Sequence, residues 1–145
     1  MSTQVAQELQ KILSDTFVLY FKTHAYHWNV EGPQFKSLHE LFEEQYTEMW
    51  EAIDDIAERL RALGEYAPIS IKSMMENAAM QETGQTPDAM TMVANLAEGN
   101  IELSTKLNKA IKAIEDSGDE VTIDLFIGRA TIHDKNAWML RATGK

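Results

Sequence analysis

The chain has no cysteine among its 145 residues, which excludes disulfides, thiolate ligands and a cysteine nucleophile. No continuous apolar run approaches the ~18 residues that a membrane span requires, although 44% of the residues are hydrophobic. The first residues, Met1-Ser2-Thr3-Gln4-Val5-Ala6-Gln7-Glu8, lack a basic flank and an apolar stretch. No secretory signal is visible, so the expected compartment is the cytoplasm. Basic residues are scarce: 13 Lys and Arg face 23 Asp and Glu, a formal charge of −10. That balance argues against a general affinity for phosphate backbones, which requires clustered Lys and Arg. It suits solubility and the attraction of cations. What remains is a chain of one-domain size, spanning 1–145, long enough to bury a sizeable core. Its 8 methionines are expected to fill gaps in that core.

Apolar residues recur every three or four positions, which is the helical period. Val5, Leu9, Ile12, Leu13, Phe17, Tyr20 and Phe21, continued by His24, His27 and Trp28, predict a first helix over residues 4–29. Gly32-Pro33 ends it and permits a reversal. A second helix is expected from near Gln34 to Gly64, on Phe35, Leu38, Leu41, Phe42, Met49, Ile53, Ile56, Leu60 and Leu63. Tyr46 and Trp50 fall off its main stripe, which hints at a second packing partner such as a subunit. Ser70 is a candidate cap for a short helix reaching about Ala79, and Thr83 to Asp88 reads as a loop. A third long helix is expected from Asp88 to Glu115, with Val93, Leu96, Leu103, Leu107, Ile111 and Ile114 inward. Asp119 or Thr122 would cap a fourth, reaching Ala142, with Ile123, Phe126, Ile127, Ala130, Ala137 and Leu140 inward. No strand signal of comparable strength appears. The fold class is therefore all-α: a ferritin-like four-helix bundle with a short extra helix in the long crossover between the second and third long helices.

His27 and His39 flank the Gly-Pro turn, and Asp54 and Glu58 form an i, i+4 carboxylate pair further along the second helix. Histidine and carboxylate suit a hard to borderline metal such as iron. Metal centres inside a helix bundle use Glu-x-x-His pairs. Here the residues three before His24, His27, His39 and His133 are Phe21, His24, Lys36 and Ala130, so a centre inside the bundle is disfavoured. Helix rise separates His39 from Asp54 by roughly 22 Å and from Glu58 by roughly 28 Å, so one chain cannot close them on one ion. Two chains can, if their second helices cross antiparallel at a two-fold axis. The alternative is that Asp54 and Glu58 are solvated surface acids, with Glu58 paired to a nearby Lys or Arg.

The stretches His27-Trp28-Asn29-Val30-x-Gly32-Pro33-x-Phe35, Leu38-His39-Glu40-Leu41-Phe42, Asp54-x-x-Ala57-Glu58-Arg59, Leu63-Gly64, Asp119-x-x-Thr122-x-Asp124 and Trp138-Met139-Leu140 span most of the chain in order. In them the sequence resembles the Dps family, the mini-ferritins named as DNA-binding proteins from starved cells. The resemblance implies a homo-dodecameric cage of tetrahedral symmetry with a hollow interior. It implies ferroxidase centres at two-fold interfaces, with His27 and His39 from one chain and Asp54 and Glu58 from its partner as ligands. Glu43, one turn beyond His39, would be a secondary carboxylate, and His24 an interface histidine. His133 is read as a satisfied polar residue within the bundle.

The implied activity is oxidation of Fe(II), preferably by hydrogen peroxide, and mineralisation of Fe(III) inside the cage, protecting against oxidative damage. Trp28 beside His27 would absorb a stray oxidising equivalent or simply pack. Glu120 and Asp124, with Asp116 and Asp119 near, would line an acidic pore; the helix dipole alone also favours acids there. Zinc is a competing occupant, since histidine and carboxylate suit it too. A nucleoid-binding role is the alternative function. The first basic residue is Lys11, inside the first helix, and Lys106, Lys109 and Lys112 sit among acids. Twelve copies would carry roughly −120, so DNA binding near neutral pH is expected to be weak or absent.

Overall fold

The structure, a computed structural model, describes residues 3–82 and 84–145. Met1 and Ser2, in the stretch read for a leader, and Thr83, in the expected loop, lie outside the described residues. Five helices follow in order: α1 Thr3–Asn29, α2 Phe35–Ala62, α3 Ile71–Glu76, α4 Ala89–Ile114 and α5 Glu120–Thr143. No strand occurs among the described residues. The expected bundle with a short helix in its crossover is the fold observed.

The reversal between α1 and α2 takes few residues because Gly32 adopts φ 118°, a conformation that L side chains rarely enter. Ser70 caps α3 as expected: its hydroxyl accepts from Ser73 N–H while the Ser73 hydroxyl accepts from Ser70 N–H. That helix is shorter than its pattern suggested and ends at Glu76 rather than near Ala79. At α5 the cap is Asp119, which accepts from Thr122 N–H, and Thr122 is buried one turn inside the helix.

α1 packs against α2, and α4 against α5; the two hairpins meet through α1 with α4 and α2 with α5. Cross-helix pairs give the directions. Asp15 meets Lys106, and Tyr26 meets Asn95, so α4 runs antiparallel to α1. Glu48 meets Arg129, and Arg59 meets Asp119, so α5 runs antiparallel to α2. α2 and α4 are consequently parallel, which only a long crossover allows.

The core is a column of side chains without measurable exposure, including Leu9, Leu13, Leu19, Phe42, Met49, Ile56, Leu60, Leu96, Leu103, Phe126 and Leu140. Gly99 lets α4 approach α1: a Cβ there would come within 2.7 Å of Leu19 Cδ1. Not every expected inward residue is inward. Ile127 is 48% exposed, because the side of α5 facing the core is set by Phe126, Ala130, His133 and Ala137.

The crossover is tied down by one buried carboxylate. Asp15 Oδ1 accepts from the backbone N–H groups of Ala79 (2.8 Å) and Met80 (3.0 Å), and Asp15 Oδ2 pairs with Lys106 at 3.2 Å. Ser14 Oγ donates to the Met74 carbonyl of α3. Lys106, read from sequence as part of a solvated basic stripe, is therefore turned inward, while Lys109 and Lys112 are exposed.

Candidate metal centre

His27 stands near the end of α1 and His39 in the first turns of α2, on opposite sides of the Gly32 reversal. The hairpin presses their rings together, with centroids 3.7 Å apart and planes at 15°. Each imidazole Nδ1 lies 2.7 Å from the other residue's backbone carbonyl. A carbonyl only accepts, so both Nδ1 atoms carry the hydrogen. In the neutral rings both Nε2 atoms then hold a free lone pair, the form that binds a metal. The reciprocal bonds lock orientation and tautomer together. Glu43, one turn along α2, completes a group whose ligand atoms lie within 4.8 Å of one another. Its Oε1 is 4.0 Å from His27 Nε2.

The second group gathers Asp54, Asp55 and Glu58, again with carboxylate oxygens within 4.8 Å of one another. All three are exposed. No Lys or Arg pairs with any of them among the described residues, so the ion-paired alternative for Glu58 is not seen there. Three carboxylates held together at a surface repel one another, and a cation relieves that.

The two groups do not meet. α2 is continuous from Phe35 to Ala62, so His39 and Asp54 are held roughly 22 Å apart by helix rise. Asp55 was not singled out from the sequence, although its place beside Asp54 was the signal available.

The bundle interior offers no rival centre among the described residues. His133 is fully buried: its Nδ1 bonds Asn100 Oδ1 at 2.8 Å, and Arg129 Nη2 lies 3.0 Å from its Nε2. Arg129 is itself paired to Glu48 through both terminal nitrogens. Burial, reinforced by the Arg129 charge, lowers the His133 pKa to about 3. A neutral imidazole whose two nitrogens are engaged, beside a guanidinium, is a poor ligand for a cation.

Aromatic rings surround the histidine half. His24 stacks on Tyr46 (3.7 Å, 10°) and bonds the Tyr20 hydroxyl through Nδ1 at 2.8 Å. Burial, with the neighbouring His27, holds the His24 pKa below its ordinary value, against a weaker opposing pull from Glu43. Trp28 is 57% exposed and touches His24 (4.3 Å) and Phe21 (6.2 Å) rather than the His27 ring. Trp50 is 61% exposed beside the acidic group.

Glu120 and Asp124 both lie exposed on the first turns of α5 and belong to neither group. Asp119 beside them is engaged. Burial alone would raise its pKa, but hydrogen bonds from Thr122 and the Arg59 guanidinium outweigh that and hold it below the ordinary carboxylate range.

Residues 6–144 match the family model of the ferritin-like domain. Three relatives narrow the class. The chain is 41% identical to DNA protection during starvation protein 2 of Bacillus anthracis over 142 residues, covering 98% of this chain and 97% of that one. It superposes on a crystal structure of a Dps protein from Bacillus brevis with a TM-score of 0.94 at 34% identity, each chain covered to 100%. It also superposes on Dps from Vibrio cholerae, described as a member of a broad superfamily of ferritin-like diiron-carboxylate proteins. There the TM-score is 0.91 at 30% identity, with 97% of this chain and 89% of that one covered. The chain belongs to the Dps family.

Proposed function

We propose that the chain is the subunit of a cytoplasmic, homo-dodecameric mini-ferritin that oxidises Fe(II), stores the Fe(III) as mineral and so protects against oxidative damage. The observation that carries this reading is the split donor set. His27 and His39, with free Nε2 lone pairs beside Glu43, stand at one end of α2, and Asp54 and Glu58 cluster toward the other. A two-fold axis that crosses two α2 helices antiparallel brings the histidines of one subunit to the partner's Asp54 and the partner's Glu58, and makes the centre twice. Exposed Phe21, Trp28, Phe35 and Trp50 around the two groups supply the apolar surface expected where subunits meet.

Fe(II) is the substrate. The imidazoles bind it, and the carboxylates favour the more highly charged Fe(III), so oxidation is downhill at the site. Two Fe(II) ions deliver two electrons to one hydrogen peroxide, whose O–O bond breaks to give two hydroxide ions, and no hydroxyl radical is released. Glu43 holds the second ion or receives the ferric product. Glu120 and Asp124 line an acidic entry path, and the negative charge of the shell draws cations toward it. Zinc binds the same donors and inhibits.

Stopped-flow measurement of Fe(II) oxidation with stoichiometric peroxide tests the reading. His27→Ala combined with His39→Ala abolishes the fast phase and leaves the particle size by light scattering unchanged. A double variant that oxidises iron at the wild-type rate would remove the assignment. DNA binding is weak or absent near neutral pH, because the assembled charge repels a polyanion. Tight binding in a low-salt gel shift without divalent cation would refute that.

A further inference from the structure

The bundle interior is not apolar throughout. Partway along α2, Gln45 is 4% exposed, and α5 turns Arg129 (5%), His133 (0%) and Asn136 (9%) inward. Part of this layer satisfies itself. His133 is held between Asn100 and Arg129, and both terminal nitrogens of Arg129 reach Glu48. Four buried atoms are left over: Gln45 Oε1, Gln45 Nε2, Arg129 Nε and Asn136 Nδ2 have no hydrogen-bond partner among the described residues. Turning the Gln45 amide over rescues neither of its atoms, since both are unpaired.

Helix register gathers these atoms. The Glu48–Arg129 pair sets α2 and α5 level with one another, and the two helices run antiparallel. Gln45, three residues before Glu48, is displaced from that pair by roughly 4–5 Å along the axis, in the direction of His133 at roughly 6 Å and Asn136 at roughly 10 Å. Gln45 therefore stands between the levels of Arg129 and Asn136. Arg129, His133 and Asn136, spaced by four and three, share one face of α5.

We infer that the bundle holds ordered water between α2 and α5, bound by Gln45, Arg129 Nε and Asn136 Nδ2. The inference is independent of the iron-oxidising function proposed above. Orphaned polar groups in a core carry their full desolvation cost, and a ligand that bonds them removes it. The donor set decides which ligand. Three of the four atoms are nitrogens bearing hydrogen, beside a guanidinium, so a cation is repelled. An anion would suit the nitrogens, but Glu48 already neutralises Arg129, and an anion has no hydrogen to give Gln45 Oε1. Water both donates and accepts, and a buried water takes about three such bonds. The site ties α2 to α5 between His39 and Asp54, so water is part of what fixes the helix that carries both ligand groups.

Crystals of the assembled protein, without substitution, test this at a resolution that shows buried waters. Density is expected in each subunit within hydrogen-bond distance of Gln45 and Arg129 Nε. Overturning results would be a dry site beside well-defined buried waters elsewhere, or the four atoms bonded to protein neighbours instead. An anomalous peak at the site after a bromide soak would assign it to an anion and refute the water. Gln45→Met supplies a second measurement whose sign decides. Without water the change removes an orphaned amide and raises the thermal midpoint; with water it strips away a donor and an acceptor, lowering the midpoint by about 2–4 °C. A raised or unchanged midpoint, in cages of unchanged size by light scattering, would count against the site. A variant that fails to assemble leaves the crystallographic test of the wild type to decide.

Discussion

Chains that each lack one half of the proposed centre should rescue one another when they assemble together. Let one variant carry His27→Ala and His39→Ala, and the other Asp54→Ala and Glu58→Ala. Each alone builds cages in which no centre has both halves. In a mixed two-fold pair, the first chain supplies carboxylates to the histidines of the second, and one of the two centres is whole. The other centre has lost everything. Random assembly from equal amounts makes about half of the pairs mixed, so about a quarter of the wild-type centres return. The rise of α2 is what makes this prediction sharp: roughly 22 Å between His39 and Asp54 forbids a centre within one chain. The assay is the amplitude of the fast Fe(II) oxidation phase after co-expression or joint refolding, with mixing verified by mass spectrometry. Recovery near a quarter supports the inter-subunit centre. Verified mixed cages without recovery would refute it, because a centre closed within one chain gains nothing from a partner.

Acid stability should report on His133, whose native pKa of about 3 lies well below the ordinary 6.5. Between those values the unfolded chain binds a proton that the native chain refuses. Stability is therefore complete above pH 6.5 and is lost as pH falls toward 3, by up to about 1.4 kcal/mol per pH unit. Denaturation at pH 6.5 and pH 5, above the main carboxylate titration, should show this slope, and His133→Gln should flatten it; equal slopes would remove the assignment. Asp15→Ala strips the acceptor from two backbone N–H groups and the partner from Lys106, which should destabilise by roughly 2–4 kcal/mol. Hydrogen exchange should then quicken at the Ala79 and Met80 amides, and unchanged protection there would show that Asp15 does not anchor the crossover. Light scattering should give a particle near twelve subunits; a stable monomer would leave both ligand groups incomplete.

Most of the fold was legible in the sequence because long amphipathic helices leave a regular apolar imprint and their ends carry chemical punctuation. Ser70, Asp88 and Asp119 cap helices with their own side chains, and Gly32 turns where its φ demands glycine. Ile127 misled because an apolar residue one step from Phe126 looks inward on periodicity alone, and the core needs only one of them. Lys106 misled in the opposite sense: its charge suggested solvent, but buried Asp15 draws it in. Asp15 itself had no local signal, since its partners lie 64, 65 and 91 residues away.

The same division runs through the site. The sequence by itself determined the donor types, the spacing of His39, Asp54 and Glu58 along α2 and, through rise per residue, that one chain cannot close them on one ion. It could do so because a continuous helix converts residue number into distance. Only the tertiary structure decided how the donors are held. The hairpin stacks His27 on His39 and lets each bond the other's backbone carbonyl. It also draws Glu43 into their group and lays His24 between Tyr20 and Tyr46. Those contacts depend on the register and rotation of α1 against α2, which packing of the whole core sets and no local pattern records.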